Sequence, residues 1–192
     1  DIASGINAGS GGIMNAAVKA DITYTFSYEK TGQILWPGNE YTGKLVTIPI
    51  GITDDSFVET KPHMFSIEEK DLKNLPKRPD HSNKGTYGHL LVIAGSYNMA
   101  GAAVLSAKAA YRCGCGLVKV LTPQENRIII QNQVPEALIG TYDDIEGALK
   151  WADAVVLGPG IGKQPQAVDI VHKVLEKCDV PLLIDADGLN II

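Results

Sequence analysis

The chain has 192 residues, of which 45% are apolar and 20% charged, an ordinary balance for a globular protein with room for one full α/β domain or two small ones. No window approaches the roughly 18 apolar residues of a transmembrane helix, and a net charge of −5 without a dense Lys/Arg cluster argues against nucleic acid as a partner. Cys113, Cys115 and Cys178 are odd in number and form no paired CxxC pattern, which fits a reducing compartment, the cytoplasm, better than a disulfide scaffold.

Residues 1 to 11 are rich in Gly, Ser and Asn and read as a loop, Gly12 to Ala20 as a short helix, and Ile22-Thr23-Tyr24-Thr25-Phe26 as a strand of β-branched and aromatic residues. Lys30-Thr31-Gly32 and Trp36-Pro37-Gly38 are turn signals, and Leu45 to Ile50 is a second strand that Pro49 places at an edge or strand end. Thr53 to Met64, with Asp54-Asp55 and Lys61-Pro62, has no periodicity and reads as a linker, so a domain boundary is expected at 52 to 65. Ser66-Ile67-Glu68-Glu69 then matches a capping box before a short helix ending near Leu75-Pro76.

The stretch from Lys84 to Thr122 organises the rest. The apolar run Leu90 to Ala94, the turn Gly95-Ser96-Tyr97-Asn98-Met99-Ala100-Gly101, the small-residue segment Ala102 to Ala110 and the run Val118 to Leu121 spell strand, loop, helix and strand. Such a βαβ unit implies a parallel sheet covered by helices. Glu125 to Gln133 and Asp143 to Trp151 read as helices, and Ala154 to Leu157 as a buried strand. Pro165 to Lys177 is a helix with an apolar face at Val168, Val171, Val174 and Leu175, and Pro181 to Ile184 is a third buried strand. Both ends read as cut: Asp1 opens into a turn that normally follows a strand, and Asn190-Ile191-Ile192 stop within an apolar segment.

Three of these strands end in Gly95-Ser96 with Gly101, in Gly158-Pro159-Gly160, and in Asp185-Ala186-Asp187. If the strands are neighbours, the loops converge on one edge of the sheet and combine bare backbone donors with a carboxylate, a combination suited to a ligand bearing phosphate and hydroxyl groups. The same glycines also serve as plain turns that let helices pack. Their spacing departs from GxGxxG and disfavours a Rossmann dehydrogenase. Lys84-Gly85-Thr86-Tyr87-Gly88 is either an exposed entry turn or a loop that closes on a ligand with Lys84 near phosphate. Cys113 and Cys115 sit at a helix-to-strand junction and read as packing residues, and no His/Cys spacing suits a metal. Asp1 and Ser4 share a Gly-bearing turn; Asp1 is either a general base or the centre of an Asx-turn, and Ser4 with nearby carbonyls could hold a monovalent cation.

Taken together, Lys84-Gly85-Thr86-Tyr87-Gly88, Leu91-Val92-Ile93-Ala94-Gly95-Ser96, Gly101-Ala102-Ala103, Arg112 with Gly114-Cys115-Gly116-Leu117-Val118, Gly158-Pro159-Gly160-Ile161-Gly162 and Asp185-Ala186-Asp187-Gly188-Leu189-Asn190 resemble the ADP- or ATP-dependent NAD(P)H-hydrate dehydratase family, whose fold is ribokinase-like. Residues 1 to 52, with Asp1-Ile2-Ala3-Ser4-Gly5-Ile6-Asn7-Ala8, Ala17-Val18-Lys19-Ala20-Asp21 and Pro37-Gly38, resemble the end of the NAD(P)H-hydrate epimerase domain. The resemblance implies part of an epimerase domain over 1–52, a linker over 53–65 and part of a dehydratase domain over 66–192. It also implies nucleotide-dependent restoration of NADH and NADPH from their hydrates, with ADP or ATP, Mg2+ and K+ as cofactors. Strand edges left exposed by absent sheet partners predict a homo-oligomer or aggregation. Matched residue by residue, the resemblance assigns Asp1, Gly101, Ala102, Gly158 and Gly160 to the hydrated dinucleotide, Lys84 and Asp185 to the nucleotide, and Ser4 to potassium. The family's Thr-Pro-His segment, basic nucleotide loop and Gly-Thr-Gly-Asp motif have no match here, and Ala3 stands where Pro is usual. No catalytic residue is therefore assigned, and the chain is expected to be inactive or nearly so alone. A ribokinase-like small-molecule kinase and a non-catalytic dinucleotide-binding module are the alternatives.

Overall fold

The computed structural model describes residues 1–58 and 64–192. The chain forms two compact units, Asp1–Pro76 and Lys77–Ile192. Lys61-Pro62 of the expected linker, and His63, lie outside the described residues.

In the first unit, β1 (Ile22–Phe26) and β2 (Lys44–Ile48) pair in parallel, with Ile22 opposite Lys44 and Phe26 opposite Ile48. Pro49 follows directly on β2, as its missing N–H requires. Two one-turn helices, α1 (Thr31–Ile34) and α2 (Asn39–Thr42), connect the strands. Along β1 the threonines face inward and the large side chains outward: Thr23 and Thr25 are buried while Ile22, Tyr24 and Phe26 are exposed. The Thr23 hydroxyl donates to the Thr42 carbonyl at 2.7 Å, which satisfies a helix-end acceptor inside the unit.

Two expectations fail here. Gly12 to Ala20 is not helical; it runs back along residues 4 to 7, with Met14 N–H on Gly5 O at 2.8 Å, Val18 N–H on Ser4 O at 2.9 Å and a bridge between Ile6 and Ile13. Those bonds need the glycine at position 5, where a Cβ would stand 1.9 Å from Ala16 O, and they replace the bonds an isolated nine-residue helix holds only marginally. The box expected to start at Ser66 starts instead at Glu68. There the Glu68 N–H donates to the Asp71 carboxylate at 2.8 Å, and a 3-10 helix spans Glu69–Asn74.

The second unit carries a five-stranded parallel sheet. Its strands are β3 (His89–Ile93), β4 (Leu117–Leu121), β5 (Leu138–Gly140), β6 (Ala154–Leu157) and β7 (Leu182–Ile184), in the order β5-β4-β3-β6-β7. The covering helices are α3 (Ala100–Arg112), α4 (Arg127–Gln133), α5 (Ile145–Trp151), α6 (Pro165–Lys177) and a terminal α7 (Asp187–Ile191). Side chains alternate across β3 and feed two cores. Leu91 and Ile93 pack with Leu149, Ile170 and Val174 of α5 and α6, whereas Val92 and Ala94 pack with Ala103, Ala107 and Ile130 of α3 and α4. The architecture is the expected three-layer α/β arrangement. On α6 the buried stripe is Ala167, Ile170, Val171 and Val174. Val168 is half-buried and Leu175 exposed, one position off the expected face. Cys115 is half-buried against its core, but Cys113 is exposed and fills no packing role.

Candidate functional site

β3, β6 and β7 are adjacent and in register, with Ile93 opposite Leu157 and Leu157 opposite Ile184. The three loops singled out in the sequence therefore leave one edge of the sheet side by side. Backbone bonds stitch them together: Gly95 N–H donates to Pro159 O at 2.8 Å, Gly158 N–H to Ile93 O at 3.1 Å, and Asp185 N–H to Leu157 O at 3.0 Å.

Two of the glycines are explained by close approach. A Cβ at Gly158, whose φ is +120°, would lie 2.0 Å from Asp185 O and 2.7 Å from Gly188 N. Gly158 is buried, and this backbone crossing accounts for it without a ligand. At Gly160, with φ +65°, a Cβ would meet the Ala102 Cβ at 2.7 Å. That contact brings the first turn of α3 against the turn after β6, and it places Gly160 and Ala102 together at the sheet edge. Gly101 is exposed, with open space where a Cβ would stand.

The acidic loop divides its labour. The Asp187 carboxylate accepts from Gly162 N–H at 2.9 Å and so ties the turn after β6 to the start of α7, while Asp185 is exposed at the end of β7. Ala186 between them has φ +48°, a conformation that costs a residue with a Cβ about 1 kcal/mol or more. The turn after β3 is held from below by side chains that sequence reasoning did not single out. Tyr142 OH donates to Gly95 O at 2.7 Å, and Asn126 Nδ2 donates to Ser96 O at 3.1 Å and to Thr122 Oγ1 at 2.9 Å. Burial raises the Tyr142 phenol well above the ordinary tyrosine range, so the group stays neutral and remains a donor.

Lys84 is not part of this cluster. It lies in a 3-10 turn, Lys84–Tyr87, at the amino end of β3, and its carbonyl crosses so near Gly116 that a Cβ there would stand 1.7 Å away. A cavity of about 500 Å³ opens at this end, lined by Arg78, Ser82, Asn83, Lys84 and Tyr87 among others, with the Arg78 guanidinium 4.4 Å above the Tyr87 ring. The glycine-flanked donors and carboxylates, however, gather at the carboxyl end, where parallel sheets bind ligands.

In the first unit, Asp1 is clamped by groups from β1 and α1. One carboxylate oxygen, Oδ1, accepts from Thr25 Oγ1 at 3.0 Å, from Phe26 N–H at 3.0 Å and from Lys30 Nζ at 2.7 Å. Its carbonyl accepts from buried Gln33 Nε2 at 2.6 Å. These partners lie 24 to 32 residues away, so the local Asx-turn is not what forms. Desolvation lowers the Lys30 ammonium from its ordinary value. Ser4 is exposed, and its carbonyl is taken by Val18 N–H at 2.9 Å. Among the described residues no group of three or more His, Cys, Asp or Glu side chains could hold a metal ion, and no helix is long and apolar enough to cross a membrane.

Parallel sheet order, two helical layers and a glycine-lined carboxyl edge define a ribokinase-like α/β protein. A ribokinase-like superfamily protein of Enterococcus faecalis superposes with a TM-score of 0.62 at 26% identity, over 65% of this chain and 46% of that one. The ADP/ATP-dependent NAD(P)H-hydrate dehydratase of Bacillus subtilis, co-crystallised with ATP and Mg2+, superposes with a TM-score of 0.53 at 34% identity, over 60% of this chain and 43% of that one. The family model described as NAD(P)H-hydrate dehydratase matches residues 90–192, and the chain belongs to that family. The bifunctional NAD(P)H-hydrate repair enzyme Nnr of Coxiella burnetii is 39% identical over 100% of this chain. The chain spans 40% of that relative's length.

Proposed function

We propose that the chain serves the repair of hydrated nicotinamide dinucleotides: dehydration of hydrated NADH and NADPH at the expense of ADP or ATP, coupled in the same protein to epimerisation of the hydrate. The observation that carries this reading is the close approach of Ala102 and Gly160 at the carboxyl edge of β3 and β6, where a Cβ on residue 160 would stand 2.7 Å from that of Ala102, inside the segment that matches the dehydratase family. In this reading Gly101, Ala102 and Gly160 line the dinucleotide, Gly158 shapes their turn, and Asp185 faces the nucleotide. Lys84, expected beside Asp185 at the nucleotide, stands at the other end of the sheet and is left out of this site.

In this reading residues 1–52 belong to an epimerase domain, 53–65 to a linker and 66–192 to the dehydratase domain; the family match over 90–192 supports the last of these, while the two compact units divide at Pro76/Lys77 instead. In the epimerase part Asp1 contacts the hydrate through the carboxylate oxygen left over from its three donors on Oδ1, and Ser4 helps to hold K+. Mg2+, a hard cation that keeps to oxygens, would arrive with the nucleotide's phosphates. A homo-oligomer in the cytoplasm completes the reading.

Chemically, a phosphorylated hydroxyl becomes a leaving group, and fixed backbone N–H donors stabilise the negative charge that develops on phosphate. The test is recovery of reduced-nicotinamide absorbance from hydrated NADH with ADP or ATP and Mg2+. This chain is run beside a version extended at both ends to the length of its relatives. Turnover by the extended version alone supports the reading and the need for further segments. Turnover by neither moves a small-molecule kinase ahead.

A further inference from the structure

We propose that Tyr142 and Asn126 are positioning residues for the dinucleotide site, acting by holding the carbonyls of Gly95 and Ser96 and thereby fixing the turn that leads into Gly101 and Ala102. This rests on the dehydratase reading of that site. The two side chains come from different loops. Asn126 closes the 3-10 turn before α4, and Tyr142 opens the turn before α5. Asn126 is 2% exposed and its partner Thr122 0%, so both amide donors of Asn126 Nδ2 are spent inside the protein, on Ser96 O and Thr122 Oγ1.

Polar groups buried this deeply stabilise only when fully bonded, and an apolar side chain would fill the same space at less desolvation cost. What they supply instead is direction. A trans peptide points its C=O and N–H opposite ways. With Gly95 O turned to Tyr142 and Ser96 O turned to Asn126 and Met99 N–H, the Ser96 and Tyr97 N–H groups are turned the other way. Neither makes a hydrogen bond among the described residues. The third tie, Gly95 N–H on Pro159 O at 2.8 Å, registers the turn against the Gly158–Gly160 loop. Three loops thus converge on three consecutive peptide groups, and the geometry of Ala102 against Gly160 depends on them. Supporting residues of this kind decide how well a site is preorganised.

The experiment is calorimetric titration of the chain with hydrated NADH, for the unaltered protein, Tyr142→Phe and Asn126→Asp. Tyr142→Phe removes only the hydroxyl and is expected to weaken binding about 10-fold, the effect of one buried hydrogen bond, with the fold retained. Asn126→Asp exchanges a donor for an isosteric carboxylate that only accepts when ionised and donates when protonated. A carboxyl buried there titrates above its ordinary range. Its affinity relative to the unaltered chain is therefore expected to be lowest at pH 9 and to recover as the pH falls to 6. Unchanged affinity in Tyr142→Phe, or a pH-independent deficit in Asn126→Asp, overturns the positioning role while leaving the dehydratase reading standing. No binding by the unaltered protein, either as this chain or extended at both ends to the length of its relatives, overturns that reading, and the inference with it; binding by the extended form alone moves the same two substitutions into that form.

Discussion

A methyl group at position 160 would overlap the Ala102 side chain at 2.7 Å, on a backbone whose φ of +65° already disfavours a Cβ. Gly160→Ala is expected to cost about 1 to 3 kcal/mol of stability and to separate α3 from the turn after β6, which thermal unfolding and dinucleotide titration would register together. An unchanged melting temperature would contradict the close approach. Tyr142 makes a prediction about pH. Because burial raises its pKa in the folded state, the unfolded chain loses the phenolic proton first. Its contribution to stability is full below the ordinary value of 10.0 and declines as the pH rises above it, by about 1.4 kcal/mol per unit. Tyr142→Phe should flatten that part of the stability curve, and denaturant titrations from pH 9 to 11 would show it. At this scale the glycines were legible, because a turn after an apolar run announces itself. Asn126 and Tyr142 were not: their bonds to the Gly95 turn join residues 30 and 47 positions apart, and no local pattern encodes such a pairing.

Strands of the sheet were the most readable elements. The runs at 90–94 and 154–157 are continuous in apolar residues because both faces are covered, and 118–121 is broken only by Lys119, whose ammonium lies 4.6 Å over the Trp151 ring, so their existence followed from composition and length. β5 escaped notice since three residues between turn signals carry no periodicity, and the helix expected over 12–20 gave way to pairing with residues 4 to 7 that only the folded chain supplies. Leu157 on β6 tests the layer directly. It is fully buried and lies among Ile93, Ile161 and Val171 in one core. Leu157→Ala is expected to cost about 2 to 5 kcal/mol, read as a lower denaturant midpoint with unchanged slope. A loss below 1 kcal/mol would mean that this face of the sheet is not packed as described.

For the molecule as a whole, the outermost strands carry the next expectation. β7 is the last strand on its side of the sheet, with Leu183 56% exposed, and β1 turns Ile22, Tyr24 and Phe26 to solvent. Unpaired edges and apolar rows of this kind promote pairing between copies. The chain is therefore expected to self-associate, and Leu183→Lys to reduce light scattering at equal concentration; identical scattering would clear β7 of the role. Fold class was legible from the alternation of apolar runs and helical segments beyond residue 90. Strand order was not, because nothing local tells β6 to add beside β3 rather than beyond β5.

That order has a consequence for how the sheet assembles in time. β3 pairs on one side with β4, His89 to Leu117, and on the other with β6, Leu90 to Ala154. The second closure spans more than twice the chain of the first, and each doubling of a loop costs about 0.6 kcal/mol more in closure entropy. The β3-α3-β4 half is thus the natural nucleus, and β6 docks onto a template already formed. The Gly95 turn is made early, while the loop that completes it arrives late.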